Sequence, residues 1–349
     1  MTLTDITAGI ETIPLKTPFV TALRRVENVE TVRVTLTTAS GETGIGEAPP
    51  TKAITGEDSS SIIETVKSLS PVLINVEFNS IDEAITLLHS AIDGHNSAKA
   101  AIDMALYDLL SKEAGLPLYA YLEGTMQPIT SDVTISLNGP DQMANDAAEA
   151  VANGYNILKV KVGGGDGLDI ERTHAVSKAA GKDAILLIDA NQAWDEAETF
   201  SFLQGTDALD LALIEQPVPA TSLEVMRRIT KKSSVPILAD ESVFTIEDAK
   251  KVVETGAAHM INIKLMKCGG IYKAKEILDY CREQSVKCMM GSMLEGPVSI
   301  AAAMHLCMAY SDTIIWYDLD SPLLYKSLPE AAPMRCEGNV LTLPNRVGI

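Results

Sequence analysis

The sequence predicts an α/β fold, a modified TIM-type barrel carrying an α+β capping domain, and three observations predict it. Between Lys159 and Lys264 lie five short apolar, β-branched runs: ILKVKVGG, ILLIDANQ, LALIEQPVP, VPILADES and MINIKLMKCGG. Each ends in a charged residue that a buried strand should not hold. The closing charges, Lys161, Asp189, Glu215, Asp240 and Lys264, recur at intervals of 28, 26, 25 and 24 residues, the length of one strand, one helix and two loops. Counting on from Pro117 gives eight such runs, around Ile135, Val160, Leu187, Leu213, Leu238, Ile263, Met289 and Ile315. Eight parallel strands close a barrel, and the C-terminal rim of such a barrel carries its chemistry.

The residues ahead of the barrel read differently. Residues 3 to 15 and 30 to 38 alternate as strands, and Ser40-Gly41 before TGIGEA marks a tight turn, so the chain opens as an antiparallel meander. TPFVTALRRVEN between the strands is polar and aperiodic and reads as a loop. From Asp58 to about Leu116 the pattern is helical. Its best helix is NSAKAAIDMALYDLLSKEAG, with an N-cap at Asn96 or Ser97, an apolar face at Ala101, Ile102, Ala105, Leu106 and Leu109, and Gly115 as terminator. Strands followed by helices make this part α+β. The expected division is a capping domain over residues 1–120, completed by about 325–349, and a barrel domain over 121–324. CEGNVLTLPNRVGI should hold a short strand that returns to the first domain.

Composition excludes several classes. A net charge of -19 without any basic cluster argues against a nucleic-acid partner. No apolar run approaches the roughly 18 residues of a membrane span, and MTLTDITAGIETIPL has no basic-then-apolar leader pattern, so no membrane partner and a cytoplasmic location are expected. The five cysteines have no CxxC spacing and sit mostly in apolar runs, which reads as reduced and structural. Large barrels often associate, so a homo-oligomer is expected, although no residue pattern selects a symmetry.

Taken together, the K-x-K of Lys159 and Lys161, the D-A-N of Asp189, the E-Q-P of Glu215, the D-E-S of Asp240 and the K-x-x-K-x-G-G from Lys264 resemble the enolase superfamily. The resemblance is to its muconate-lactonising-enzyme-like subgroup. AAIDMALYDLLSKEAGLPLYAYL resembles the capping-domain helix of that family. D-L-D at Asp318 and Asp320, TALR ending at Arg24 and EAPPTKAITGE resemble the dipeptide epimerases within it.

Removing a proton beside a carboxylate creates a second negative charge, which something cationic must meet. Asp189, Glu215 and Asp240, at adjacent strand ends, offer oxygen ligands suited to Mg²⁺. A Lys base beside Mg²⁺ is the known pattern of enolase-type sites. Lys159 and Lys161 share a face of one strand, and a lysine buried beside another lysine and a metal is expected to lose basicity. Lys264 lies about four strands on, hence across the barrel, and two bases on opposite sides of one carbon make a racemase or epimerase arrangement. By the resemblance, Lys161 and Lys264 are the acid/base pair and Lys159 steadies the enolate oxygen. Lys267 competes with Lys264 for that position, but the family pattern favours the first lysine. The five histidines have no metal or dyad spacing and read as structural, and GGGDG at 163–167 fits neither a dinucleotide nor a P-loop motif.

The resemblance further implies that Asp318 and Asp320 bind the ammonium of a dipeptide, that Arg24 pairs with a glutamate side chain through its planar fork, and that Thr134 and Ser292 contact substrate. Arg25 is the rival to Arg24. The expected function is Mg²⁺-dependent epimerisation of the C-terminal residue of L-Ala-L/D-Glu, serving murein peptide recycling. The alternatives are an epimerase for cationic or hydrophobic dipeptides, an N-acylamino acid racemase, a cycloisomerase or an o-succinylbenzoate synthase. A non-catalytic metal- or peptide-binding scaffold would need neither of two opposed bases.

Overall fold

Three strands, β1 (Leu3–Val20), β2 (Arg25–Thr38) and β3 (Thr43–Ala48), form the antiparallel meander in the order β1-β2-β3. The computed structural model describes residues 1–20 and 25–349. Val32, Val34 and Leu36 bury one face of β2, as period-two alternation requires. The helix Asn96–Glu113 packs directly on β3, where a Cβ at Gly44 or Gly46 would lie 2.1 Å from the Ala105 carbonyl and 2.0 Å from that of Ala101. Only glycine lets these two backbones approach so closely.

The segment TPFVTALRRVEN is not the loop expected from its lack of period. Its described residues belong to the two long strands, with Phe19 paired to Val26 and Val20 to Arg25. A register shift between Pro14 and Phe19 interrupts the ladder, and such irregularities destroy the alternation by which a strand is recognised. This arm is held by a satellite core of Ile13, Leu15, Val29, Leu294 and Tyr325, with Phe19 and Val26 packed against it.

The helix Asn96–Glu113 buries more than the expected stripe, since every residue from Ser97 to Leu109 is buried. A helix enclosed on all sides loses its amphipathic pattern. Neither Asn96 nor Ser97 caps it. His95, in the left-handed region at φ 52, holds the cap position without a side-chain bond, and the Glu57 carboxylate accepts from the Ser97 and Ala98 N–H groups at 2.8 and 3.1 Å. A distant anion satisfies the orphan donors and complements the helix dipole, so no local cap is needed. Gly115, at φ 68, ends the helix as expected.

A short strand, β4 (Ile129–Thr130), precedes the barrel. The barrel strands are β5 (Val133–Ile135), β6 (Ile157–Lys161), β7 (Ile185–Asp189), β8 (Leu211–Glu215), β9 (Ile237–Ala239), β10 (Met260–Ile263), β11 (Lys287–Gly291) and β12 (Ile314–Asp318). They match the eight expected runs, and each pairs in parallel with its neighbours in one eight-stranded sheet. The sheet's ends meet where Asp132 N–H donates to the Tyr317 carbonyl at 2.9 Å and Leu319 N–H to Ser131 Oγ at 2.9 Å. Leu187, Leu213, Leu238, Met260 and Met289 fill the interior as a separate apolar core. The last strands, β13 (Arg335–Glu337) and β14 (Val340–Thr342), form a hairpin that adds to β4, so the expected single strand is half of a pair. Beyond it the chain returns to the capping helix, Ile349 N–H donating to Asp108 at 2.8 Å. All five cysteines are free, and among the described residues no helix is long and apolar enough to cross a membrane.

His305, on the helix Pro297–Ala309, joins barrel to cap. Its ring stacks on Tyr119 at 5.8 Å, and its Nδ1 accepts the Tyr119 N–H at 2.9 Å. Burial and Arg346 lower its pKa from 6.5 to about 3. The unfolded chain therefore takes up a proton below pH 6.5 that the folded one refuses until about 3, and this contribution to stability is lost as pH falls. Acidification should cost about 1.4 kcal/mol per unit through this residue. Thermal unfolding of His305→Asn against the parent should show a difference that is flat above pH 7 and shrinks below 6.5; a pH-independent difference would refute this account.

Candidate active site

Each barrel strand presents alternate residues to the interior, so the face that carries Leu187 in β7 and Leu213 in β8 also carries Asp189 and Glu215 at their ends. Lys161 pairs with Asp189, and Asp189 with Glu215, along one rung of the sheet. Asp240 lies two residues beyond Leu238, the partner of Glu215, and shares the inward face of Leu238. Lys264 follows β10, four strands round the barrel from Lys161. The polar rim rests directly on the apolar plug.

Above it opens a pocket of ≈ 650 Å³, part of it solvent, lined by Lys161, Lys264, Thr134, Ser292, Asp318 and Asp320. Phe19, Ile54, Met293 and Leu294 form its apolar wall. Lys159 is buried below the pocket, its Nζ 2.5 Å from Asp318, 2.8 Å from Glu215 and 3.2 Å from Asp189. Lys161 lies 2.6 Å from Asp189, and on the far wall Lys264 lies 2.7 Å from Asp240. Each of the two pocket lysines thus leans on a carboxylate of the strand next to its own.

Burial lowers the pKa of Lys159, but Asp318, Glu215 and Asp189 outweigh it and hold the ammonium well above its ordinary range. Lys264 is likewise raised: burial lowers it, but Asp240 together with Glu215 and Asp318 outweighs burial. The reason lies in the count. Asp132, Asp189, Glu215, Asp240, Glu241, Asp318 and Asp320 are seven buried carboxyl groups around four buried ammonium groups, Lys159, Lys161, Lys264 and Lys267. The surplus also divides the carboxyls. Burial would raise Asp189, yet Lys161 and Lys159 hold it at about 2, and Lys264 and Lys267 keep Asp240 low in the same way. Burial and Asp189 push Glu215 up to about 7, and burial with Asp318 pushes Asp320 to about 6.

Asp189, Glu215 and Asp240 supply the all-oxygen donor chemistry of a divalent-cation site, while among the described residues the carboxyl groups whose oxygens, one from each, all lie within 4.8 Å of one another are Asp132, Asp318 and Asp320. Glu215 Oε2 is buried and accepts no hydrogen bond, although Lys159 is close, and the donor set is all oxygen. The groups around these three carboxylates were not legible as site residues. Gln216, buried and at φ 37, accepts the N–H groups of Asp240 and Ser242 and donates to Ser242 Oγ and the Val218 carbonyl, so it ties the end of β8 to the end of β9. Asn262 donates to Glu215 Oε1 at 2.8 Å. Lys267, the rival to Lys264, is turned away from the pocket and grips Asp240 through its carboxylate and its carbonyl, both at 2.6 Å. Asp132 lies behind Asp318 and Asp320 with neither oxygen bonded. An amide inside the apolar run MINI was the one available signal for this layer, since such a group must find a buried partner.

Thr134 and Ser292 reach the pocket and also position the acidic pair: Thr134 N–H donates to Asp320 at 2.8 Å, and Ser292 Oγ to the Asp318 carbonyl at 3.0 Å. Arg24 falls outside the described residues. Arg25 is exposed in β2.

A capped barrel with opposed lysines and clustered carboxylates on its C-terminal rim defines a class, enzymes that move protons at carbon. Comparison with known proteins narrows it. Residues 142–349 match the model described as "Enolase C-terminal domain-like", and residues 4–122 match that of the mandelate racemase / muconate lactonizing enzyme N-terminal domain. The chain is 48% identical over 331 residues to the L-amino acid-D/L-Glu epimerase of Sulfurimonas denitrificans, covering 95% of this chain and 96% of that one. The substrate-liganded L-Ala-D/L-Glu epimerase of Bacillus subtilis superposes with a TM-score of 0.96 at 37% identity, over 100% of this chain and 98% of that one. The Enterococcus faecalis dipeptide epimerase complexed with Mg and L-Leu-L-Tyr gives 0.93 at 35%, over 100% and 99%. The chain belongs to the enolase superfamily, in its mandelate racemase / muconate lactonizing enzyme family.

Proposed function

We propose that the protein is a Mg²⁺-dependent dipeptide epimerase that inverts the α-carbon of the C-terminal residue, with L-Ala-L-Glu and L-Ala-D-Glu as its substrate pair. The observation that carries this reading is the placement of Lys161 and Lys264 on opposite walls of one pocket, four strands apart. One lysine as free amine takes the α-proton from its face while the C–H electron pair delocalises into the substrate carboxylate. The other, as ammonium, returns a proton to the opposite face, and the configuration is inverted with no net gain or loss of protons. Lys159, charged and buried, donates to the carboxylate oxygen on which negative charge grows. Mg²⁺ bound by Asp189, Glu215 and Asp240 would supply the positive charge that offsets this growth and makes neighbouring ammonium groups easier to deprotonate.

Asp318 and Asp320, both lining the pocket, take the dipeptide ammonium, and Arg24 takes the glutamate side chain by the family resemblance. The apolar wall of Phe19, Ile54, Met293 and Leu294 favours a second reading, an epimerase for hydrophobic dipeptides. Five free cysteines support a reducing, cytoplasmic setting.

Glu215→Gln removes one anionic ligand and should weaken Mg²⁺ binding in calorimetry and abolish turnover while circular dichroism stays unchanged. Full activity after exhaustive chelation would sink the metal assignment. Lys161→Ala and Lys264→Ala should each stop epimerisation by a factor of roughly 10² or more. In D₂O each variant should still exchange the α-proton of one epimer, and not the same one; shared exchange in both would break the assignment of faces. Arg24→Met should cost roughly ten- to a hundredfold in kcat/KM on Ala-Glu, with little effect on dipeptides ending in uncharged residues. Asp320→Asn should weaken all dipeptides alike. An Arg24→Met loss equal on Ala-Glu and Ala-Leu would show the residue to be structural and leave the glutamate preference resting on resemblance alone.

A further inference from the structure

Lys264, extended directly after β10, opens an irregular segment, whereas Lys161 is the last residue of β6. After β10 the chain makes one helical turn, Leu265–Cys268, then passes through Gly269 and Gly270 at φ 93 and 119 before the helix Ile271–Glu283 begins. Within the turn, Lys267 and Cys268 N–H donate to the Lys264 carbonyl and Gly269 and Gly270 N–H to that of Leu265. Its other restraints come from two sides. From the site, Lys267 Nζ holds Asp240 and the Asn262 carbonyl. From the cap, Asn96 Nδ2 donates to the Lys267 carbonyl, and the Asp103 carboxyl accepts Ile271 N–H at 2.5 Å and Tyr272 N–H at 3.3 Å. Both Asn96 and Asp103 belong to the buried capping helix.

We propose that Asp103 is a positioning residue for Lys264, and that the helix Asn96–Glu113 clamps the lysine-bearing segment against the site. This inference rests on the two-lysine reading of the reaction. Asp103 is buried and lies against Gly270, where a Cβ would sit 2.3 Å from its carboxyl carbon, so the contact is built into both partners. Its acceptors meet the first N–H groups of a 13-residue helix, where partial positive charge gathers. The same capping helix is held at its start by Glu57, which follows the helical turn Lys52–Thr55 that brings Ile54, with Thr51 before it, to the pocket. One rigid rod therefore sets both a wall of the pocket and the position of one lysine. Lys161 depends on none of these bonds: it ends a regular strand and is held by Asp189 on the opposite wall.

This asymmetry gives the test. Deuterium exchange into both epimers of Ala-Glu is followed in D₂O for Asp103→Ala and Asp103→Asn, beside Lys161→Ala and Lys264→Ala. Asp103→Ala should slow exchange of the epimer that Lys264→Ala abolishes by roughly ten- to a hundredfold, since a displacement of about 1 Å is costly at a reacting group. The other epimer should keep its rate within about twofold. Asp103→Asn, which keeps the shape and one good acceptor, should fall between, and it alone decides the matter if the alanine variant does not fold. Equal slowing at both faces, or no slowing, overturns the proposal. Lysine variants without opposite faces would overturn the functional reading and this proposal with it, whereas opposed lysine variants with an even Asp103 effect overturn this proposal alone.

Discussion

Mutual repulsion among buried carboxylates is the constraint around which this molecule is arranged. Asp132, Asp318 and Asp320 present oxygens within 4.8 Å of one another, and two full negative charges about 5 Å apart oppose each other by about 3 kcal/mol even at an effective dielectric near 20. Lys159, Lys161, Lys264 and Lys267 are threaded between these groups and those on β7, β8 and β9. Ammonium groups neutralise part of the charge, but they do not hold the carboxylates in place. That is done by the parallel ladder, in which Asp189 and Glu215 share a rung, and by neutral braces such as Gln216 and Asn262 that cross between strand ends. The apolar plug beneath lets the strands close tightly enough to carry such a rim.

The barrel was legible because most of its strands are buried on both faces and so stand out as apolar runs, those from β6 to β10 each closed by a charge where the interior meets the pocket. Counting those runs located all eight strands. The arm formed by β1 and β2 was not legible, since the register shift after Pro14 scrambles alternation and its packing partners, Leu294 and Tyr325, lie hundreds of residues away. The capping of the helix Asn96–Glu113 by Glu57 is a contact across some forty residues that no local motif announces. Lys161, Asp189, Glu215, Asp240 and Lys264 were readable as one rim because each closes a strand. The charge balance around them was not readable, because it depends on which carboxyl groups the fold gathers, and Asp132 and Glu241 join that group only in three dimensions.

Long-range acceptors recur at the junction of cap and barrel. Glu47 accepts the Val298 N–H at the start of one barrel helix, as Asp103 accepts the Ile271 N–H at another. Carboxylates of the cap thus meet backbone donors that the barrel leaves unpaired. Each such group is satisfied only when both parts are docked, which makes the junction specific as well as adhesive.

The apolar plug of Leu187, Leu213, Leu238, Met260 and Met289 has a consequence for isotopes. It seals the barrel below the lysines, so exchange with bulk water proceeds through the mouth that the substrate itself enters. On the two-lysine reading proposed above, a hydrogen lifted from the α-carbon joins the others on its amine while the dipeptide still occupies the pocket, and can return to the carbon it left before a solvent hydrogen replaces it. How much label survives a turnover is then governed by the residence of the dipeptide at the mouth, and not by the basicity of the amine alone.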